Sequence, residues 1–307
     1  MDSIQLKSCA TVANLSCGFD VLGLSINEPY DEITISKSND KSVKLEILES
    51  IYDDIPSEVE KNTGGVPAKL ILNDFKLDFG FHIKIKKGIP LCGGLGSSAA
   101  TAAGVVFGIN QLLNQKLDVK QMLSYALEGE KVSVVNAHAD NIAPCLLGGL
   151  TLIKDTNSLE VIKIPISNFY IVAVHPNIKI NTQYARDILP NQISLKSAIK
   201  QWGSLSSLVY AFSNNNLDLI KSSMHDYIVE PLRKKLITGF DQIKKNALDM
   251  GALGCSISGS GPTIFALCET KKIAEDIGQY SSDYYNSINL DSDIYISSIN
   301  KTGPQII

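Results

Sequence analysis

The sequence predicts an α+β chain in two layers, divided into two domains. Three observations carry this. The chain has 307 residues, more than one domain of ordinary size needs. Strand-like segments come first, helical ones follow, and strands then return. A polar break flanked by Pro165 and Asn168 falls near mid-chain. It divides residues 1–165 from residues 166–307.

In the first part, DEITIS and VKLEIL read as strands, and FHIKIKKG (81–88) alternates apolar and polar as a half-buried strand does. Residues 97–113 form an Ala-rich helix, with Gly104 and Gly108 four apart on a face that lets another element come close. A second helix starts with Asp118 as its cap and runs through VKQMLSYALEGEKVS. GGLTLI and FYIVAVH read as strands, and SLKSAIKQWGSLSSLVYAFSN as a helix. Helical stretches follow near 217–225 and 231–249. GALGCSISGSGPTIFAL is a strand, a Gly-rich turn and a strand; a helix (271–282) and a strand (294–299) close the chain.

Hydrophobic residues make up 44% and charged residues 20%, a soluble globular balance, and the net charge is −4 with no basic run. A nucleic-acid partner is not expected. The first residues, MDSIQLKSCA, lack the basic and apolar regions of a secretory signal, and no apolar run reaches the ~20 residues of a membrane span. A cytoplasmic protein is expected. Cysteines 9, 17, 92, 145, 255 and 268 show no C-x-x-C spacing. They are read as free thiols in a reducing compartment, with no structural zinc. Cys92 and Cys255, beside Gly-rich loops, read as small packing residues.

The chemistry concentrates in GIPLCGGLGSSAATAAG, from residue 88. Gly94-Leu-Gly96-Ser-Ser-Ala99 matches G-x-G-x-x-A. A dinucleotide fold needs its first glycine directly after the strand, yet Gly88, Pro90 and Cys92 intervene. The acidic residue near the required spacing, Asp118, opens a helix with no strand before it. The Walker form fails because the chain has no Gly-Lys pair. What remains is a Gly-rich loop running into a helix N-terminus. Unpaired N–H groups and the helix dipole favour an anion there, and glycines let phosphate oxygens approach. Ser97 and Ser98 add hydroxyls, one for phosphate and one for a metal. A tight strand-to-helix turn with a Ser cap is the plainer reading of the same residues.

IPLCGGLGSSAA resembles the second motif of the GHMP small-molecule kinases, and GCSISGSGPTIFAL their third. ATVANLSCGFDVLGLSI (10–26) resembles the first motif in its homoserine kinase form. GEKVSVVNAHADNIAPCLLGG (129–149) and INTQYARDILP (180–190) resemble the same subgroup, so the likeness spans roughly residues 5–270 in order. Cys92 and Cys9 depart from the usual small residue and Pro, and Val134-Val135-Asn136 from a Gly-containing stretch.

The resemblance implies the two-domain GHMP kinase fold. Its N-terminal, ATP-binding domain is ribosomal-protein-like with a left-handed crossover, and its C-terminal domain is ferredoxin-like. It implies ATP-dependent phosphorylation of L-homoserine to O-phospho-L-homoserine, towards threonine, with Mg2+ as cofactor. It leaves room for a homodimer. Another GHMP kinase acting on a different alcohol, a nicotinamide enzyme and a non-catalytic relative are the alternatives. The nucleotide side takes Pro90, Gly93, Gly94, Leu95, Gly96, Ser97 and Ser98, with Asn62 and Thr63 at the adenine. Ser98 and Glu130 resemble the magnesium pair, although Glu130 alone would read as a solvated helix residue. Arg186 and Arg233 resemble a carboxylate clamp, for which the guanidinium fork suits. Asn14 and Asp20 resemble the groups that receive the α-ammonium, and His138 and Thr182 further substrate contacts. The Gly-Ser-Gly turn at 259–261 supports the first motif, or is simply a turn between strands. Asp140 and Asn141 compete for the reacting hydroxyl: Asp140 is able to take a proton, Asn141 only to orient it. The resemblance puts Asn141 there, with no carboxylate base.

Overall fold

The structure is a computed structural model describing residues 1–50, 55–133 and 138–307. The departure at Val134-Val135-Asn136 lies outside the described residues.

The first sheet is built from β1 (Ser3–Ala13), β2 (Leu22–Ser38), β3 (Val43–Glu49), β4 (Gly80–Lys86), β5 (Leu150–Asp155) and β6 (Glu160–Ile164). It is completed from the far end of the chain by β11 (Gln305–Ile306). The order is β11-β1-β2-β4-β3, with β5 paired to β2 and β6 to β5. β2 serves two neighbours along its length. Residues 32–38 pair antiparallel with β4, and residues 22–24 with β5. Its far half alternates buried and part-exposed positions, while its first five residues are all buried. That is the pattern of a strand covered on one face, then on both.

α1 (Gly65–Asp74), α2 (Ser97–Leu112) and α4 (Ala139–Leu147) cover this sheet, and α3 (Val119–Glu130) packs on those three helices. α2 lies against the sheet almost wholly buried. A Cβ on Gly104 would meet Ile33 and Ser8, and one on Gly108 would meet Ile35 and Leu6. The partner of that small face is therefore the sheet, through β1 and β2. α3 begins as expected: the Asp118 carboxylate accepts from Gln121 N and the Gln121 side chain accepts from Asp118 N, a reciprocal cap.

The second sheet is antiparallel, in the order β10-β7-β9-β8. Its strands are β7 (Tyr170–Pro176), β8 (Gly254–Ile257), β9 (Ile264–Cys268) and β10 (Ser292–Ser298), backed by α9 (Phe240–Asp249) and α10 (Lys271–Ser287). Between β7 and β8 run α5 (Thr182–Asp187), α6 (Leu195–Ser213), α7 (Leu217–Ser223) and α8 (Glu230–Arg233). The stretch 231–249, expected as one helix, is two. After α8 and a 3-10 turn, Gly239 takes φ 81° and starts α9. A residue in the left-handed region breaks the ladder there. One apolar core joins the two sheets: Phe169, Leu208, Phe212 and Phe265 belong to the same buried cluster as Leu6 and Ile33. Among the described residues no helix is long and apolar enough to cross a membrane.

Candidate active site

Residues 87–96 connect β4 to α2 as a long loop, not the tight turn of a dinucleotide fold. The strand after α2, α3 and α4 is β5, which pairs antiparallel with β2. Among the described residues the loop leads into no parallel β-α-β unit, and the dinucleotide alternative ends here.

The base of the loop is buckled by a buried ion pair. Asp31 Oδ1 accepts from the N–H groups of Gly88 and Ile89, each at 3.1 Å. Lys87 Nζ pairs with Asp31 Oδ2 and donates to Ser97 O at 3.0 Å and Thr101 Oγ1 at 2.9 Å. One carboxylate thus holds the start of the loop, and the lysine paired with it holds the end. The sequence reading missed both residues.

The tip of the loop is gripped from the other sheet. Ser258 Oγ donates to Gly94 O at 2.6 Å, and Thr263 N to Gly93 O at 3.3 Å. Gly94 and Gly96 have φ of 79° and 67°. A Cβ on Gly94 would strike Ser258 O, and one on Gly96 would strike Thr11 Oγ1 and Asn141 Oδ1. Both positions need glycine for space as well as for backbone angle. Ser97 Oγ donates back to Ile89 O at 3.0 Å. Its hydroxyl braces the loop, so what this residue offers an anion is its N–H at the first turn of α2.

Ser98 Oγ donates to Glu130 Oε1 at 2.7 Å. Glu130, the last residue of α3, is buried rather than solvated. Its Oε2 has no hydrogen-bond partner among the described residues, and burial pushes its pKa up against the Ser98 bond.

The other half of the site lies on residues 14–20, where Asn14, Leu15, Ser16 and Asp20 all have positive φ. Asn14 is pinned on both sides of its amide: Oδ1 accepts from Asp20 N at 3.1 Å and Nδ2 donates to Gly259 O at 3.0 Å. The 259–261 turn does therefore support the first motif. Asp20 faces Arg186 in a two-pronged ion pair, with His138 Nδ1 at 3.6 Å from its Oδ2. His138 Nε2 is buried and has no partner among the described residues; burial lowers the ring's pKa, with Asp20 opposing.

Arg233 is buried and bonded to carbonyls: Nε donates to Ala185 O and Nη1 to Gly259 O, both at 2.9 Å. Burial, then the nearby Arg186, pulls its pKa down to about 10, so it stays charged at neutral pH. Phe19, another residue the sequence reading missed, lies beneath both arginines, its ring centroid 5.4 Å from Arg186 Cζ and 5.0 Å from Arg233 Cζ. Asp20 offsets one of the two guanidinium charges, while Arg233 is met directly only by carbonyl oxygens.

Between the halves stand Asp140 and Asn141, in the first turn of α4. Thr11 Oγ1 donates to Asn141 Oδ1 at 2.7 Å. That fixes the amide with its Nδ2 as the donor side, which gives one hydrogen to Asp140 Oδ1 at 3.5 Å and keeps the second. Burial, then Asp20 and Glu130, raises Asp140 to about 7.

A cavity of ≈ 560 Å³ brings these groups together. Of the expected residues it is lined by Asn14, Asp20, Gly93, Gly94, Gly96, Ser97, Ser98, Glu130, His138, Asn141, Thr182, Arg186 and Arg233. Asn62, Thr63, Pro90 and Leu95 are not among its walls. Asn62 is turned into its own backbone, accepting from Gly64 N at 2.9 Å and donating to Pro56 O at 2.8 Å. Leu95 is fully buried, and its carbonyl accepts from Thr11 N at 3.1 Å. Cys92 lines the cavity and is exposed, while the other five cysteines are buried.

The family model for the GHMP kinases N terminal domain matches residues 65–149, and that for the GHMP kinases C terminal region residues 208–286. A homoserine kinase of Chlorobium phaeobacteroides is 40% identical over 320 residues, covering 100% of both chains. One from Methanococcus vannielii is 42% identical over 285 residues, covering 92% of this chain and 93% of the relative. The crystal structure of homoserine kinase from Cytophaga hutchinsonii has a TM-score of 0.96 at 46% identity, over 100% of this chain and 98% of that one. L. major mevalonate kinase, with a TM-score of 0.74 at 15% identity over 97% of this chain and 96% of that one, shares the fold. Two family models and relatives matched over the full chain agree: the chain belongs to the GHMP kinase family of phosphotransferases, among the homoserine kinases.

Proposed function

We propose that the protein transfers the terminal phosphoryl group of ATP to the hydroxyl of L-homoserine, forming O-phospho-L-homoserine on the way to threonine, in the cytoplasm. The observation that carries the substrate is the charge layout of the cavity wall. Asp20 and Arg186 stand opposite one another, and no carboxylate pairs with the buried Arg233 among the described residues. A small zwitterion fits that layout: its carboxylate goes to the guanidinium groups and its ammonium to Asp20, with Asn14 holding Asp20 in place. His138 and Thr182 complete the wall on this side.

The nucleotide side follows from the loop. Residues Gly93 to Ser98 offer backbone N–H groups at a helix N-terminus, and α2 adds its dipole. Pro90 and Leu95 act by shaping the loop rather than by touching phosphate. Asn62 and Thr63 stay in the reading as the adenine side, through backbone that Asn62 itself holds. Magnesium suits the Ser98–Glu130 pair, because two oxygen donors and a buried, unpartnered carboxylate oxygen fit an ion that takes few protein groups beside phosphate and water. When bound, it would neutralise charge on the transferring phosphoryl oxygens.

Asn141 orients the attacking hydroxyl with its Nδ2, since Thr11 occupies its oxygen. In this reading transfer rests on alignment and charge neutralisation, and the proton leaves to phosphate or water. A homodimer belongs to the same reading; α6 offers an apolar outer row, Leu195, Ile199, Trp202 and Tyr210, exposed by 56–68%. ATP turnover with a panel of homoserine, mevalonate, galactose and shikimate tests the function. Strong stimulation by homoserine alone is expected; equal turnover of an alcohol without an amino group would sink the substrate assignment.

A further inference from the structure

The two halves of the amino-acid site are carried by segments far apart in sequence and poorly able to hold themselves. Asp20 ends a loop whose residues 14–16 all sit at positive φ, a conformation that L side chains do not favour. Arg233 ends α8, a helix of 4 residues, too short to persist alone. Something must set the distance between them.

Gln201, at the middle of α6, is buried to 8% exposure. Its Nε2 donates to Cys17 O at 2.9 Å and to Asp226 Oδ1 at 3.1 Å. Its Oε1 accepts from Tyr227 N at 2.9 Å. Cys17 belongs to the loop that carries Asn14 and Asp20, and its thiol donates to Ser223 O at 3.6 Å, on α7. Asp226 caps α8 from the other side. Its Oδ1 accepts from Ile228 N at 2.9 Å and Val229 N at 3.0 Å, and its Oδ2 from Glu230 N at 2.9 Å. One primary amide thus bonds the loop of Asp20 and the cap of the Arg233 helix at once.

The geometry points to Gln201 as the positioning residue that sets the spacing between the ammonium-accepting and carboxylate-accepting halves of the substrate site. It does not touch the cavity; it acts through Cys17 and Asp226. The assignment rests on the amino-acid reading above. The chemistry asks for this residue type: two donor hydrogens for Cys17 and Asp226 and an acceptor for Tyr227, at the end of a two-carbon stem. Glutamate lacks the donors and would set a second carboxylate against Asp226. Asparagine is one carbon short. Methionine keeps length and shape but bonds to none of the three.

Two variants test this, Gln201→Met and Gln201→Glu. Steady-state constants for homoserine and ATP are measured beside thermal unfolding. For Gln201→Met the expected result is a homoserine KM raised on the order of tenfold with the ATP KM within about twofold, as loss of buried hydrogen bonds predicts. Gln201→Glu is expected to be worse on the same side, because it sets carboxylate oxygens against both Cys17 O and Asp226 Oδ1. Equal rises in both KM values, or no rise for homoserine, overturns the proposal. If Gln201→Met does not fold, Gln201→Glu gives the same decision. Failure of the amino-acid reading is seen separately, because the parent enzyme would then show no homoserine-dependent turnover.

Discussion

Asp20 and Arg186 meet in a two-pronged ion pair, Nη1 to Oδ2 at 3.1 Å and Nη2 to Oδ1 at 2.9 Å. Each is the group expected to take one end of a zwitterion. A bound amino acid would therefore exchange one internal pair for two external ones. Arg186→Lys and Arg233→Lys keep charge but lose the fork. Both should raise the homoserine KM about tenfold to a hundredfold, the scale of a charge-assisted hydrogen bond of ~1.5–3 kcal/mol, and leave the ATP KM nearly unchanged. If the ATP KM rises instead, these arginines serve the nucleotide.

Gly96 is closed in by Thr11 and Asn141. Gly96→Val adds a β-branched side chain at φ 67° in that space. ATP binding by calorimetry should be lost while circular dichroism keeps the helix and sheet signal. Retained ATP binding would show that the loop does not hold the phosphates.

Asp140 and Asn141 separate by pH. Asp140, raised by burial to about 7 from 3.8, favours folding when protonated. That stability is fully present below the unfolded value and lost as pH rises through about 7. Asp140→Asn should therefore melt increasingly above the parent as pH goes from 5 to 8, by an amount bounded at roughly 4 kcal/mol. For activity, Asn141→Ala should lower kcat severely with ATP binding intact, and Asp140→Asn should cost less. A positioned base is worth about 10²–10⁴-fold. If Asp140→Asn is the more damaging and erases an acidic limb from the pH–rate profile, Asp140 is the base.

The Asp31–Lys87 buckle predicts a split between stability and nucleotide binding. Lys87→Met strands a buried carboxylate and should destabilise by roughly 3–5 kcal/mol. The double variant Asp31→Asn with Lys87→Met should regain much of the melting temperature but keep a raised ATP KM, because Ser97 O and Thr101 Oγ1 have lost the lysine that ties α2 to the start of the loop. Full recovery of the ATP KM would make the pair a matter of stability alone.

What the sequence made legible was local. α3 could be placed because Asp118 and Gln121 cap each other within one turn. The cradle could be read because glycines and a helix start are adjacent in the chain. β1 was not read, since all its residues from Ser8 on are buried and the period of two disappears. α4 carries Pro144 inside it, a residue that argues against helix. Gly239 hid within a run otherwise fit for one helix. In the site, Lys87 and Asp31 lie 56 residues apart, and no short pattern announces a pair formed only by the pairing of β2 and β4. Phe19 gave no polar signal at all. The motif resemblance supplied what spacing could not, the gathering of Asn14, Glu130, Arg186 and Arg233 around one cavity.

β11 bears on how the chain reaches its final form. Leu6 and Lys7 pair with Ile306 and Gln305, and Asn300 sits between Ser25 and Gly149, its N–H to Ser25 O at 3.0 Å and its carbonyl receiving Gly149 N at 2.6 Å. The first strand of the fold is thus edged by its last one. As the chain is made, that edge stays open until β11 emerges, after every other strand of the sheet. Pairing strands so distant in sequence is a non-local contact, whose entropy cost comes before its reward. The sheet that carries the phosphate loop is on this account among the last parts of the protein to become complete, although most of it is the first to be made.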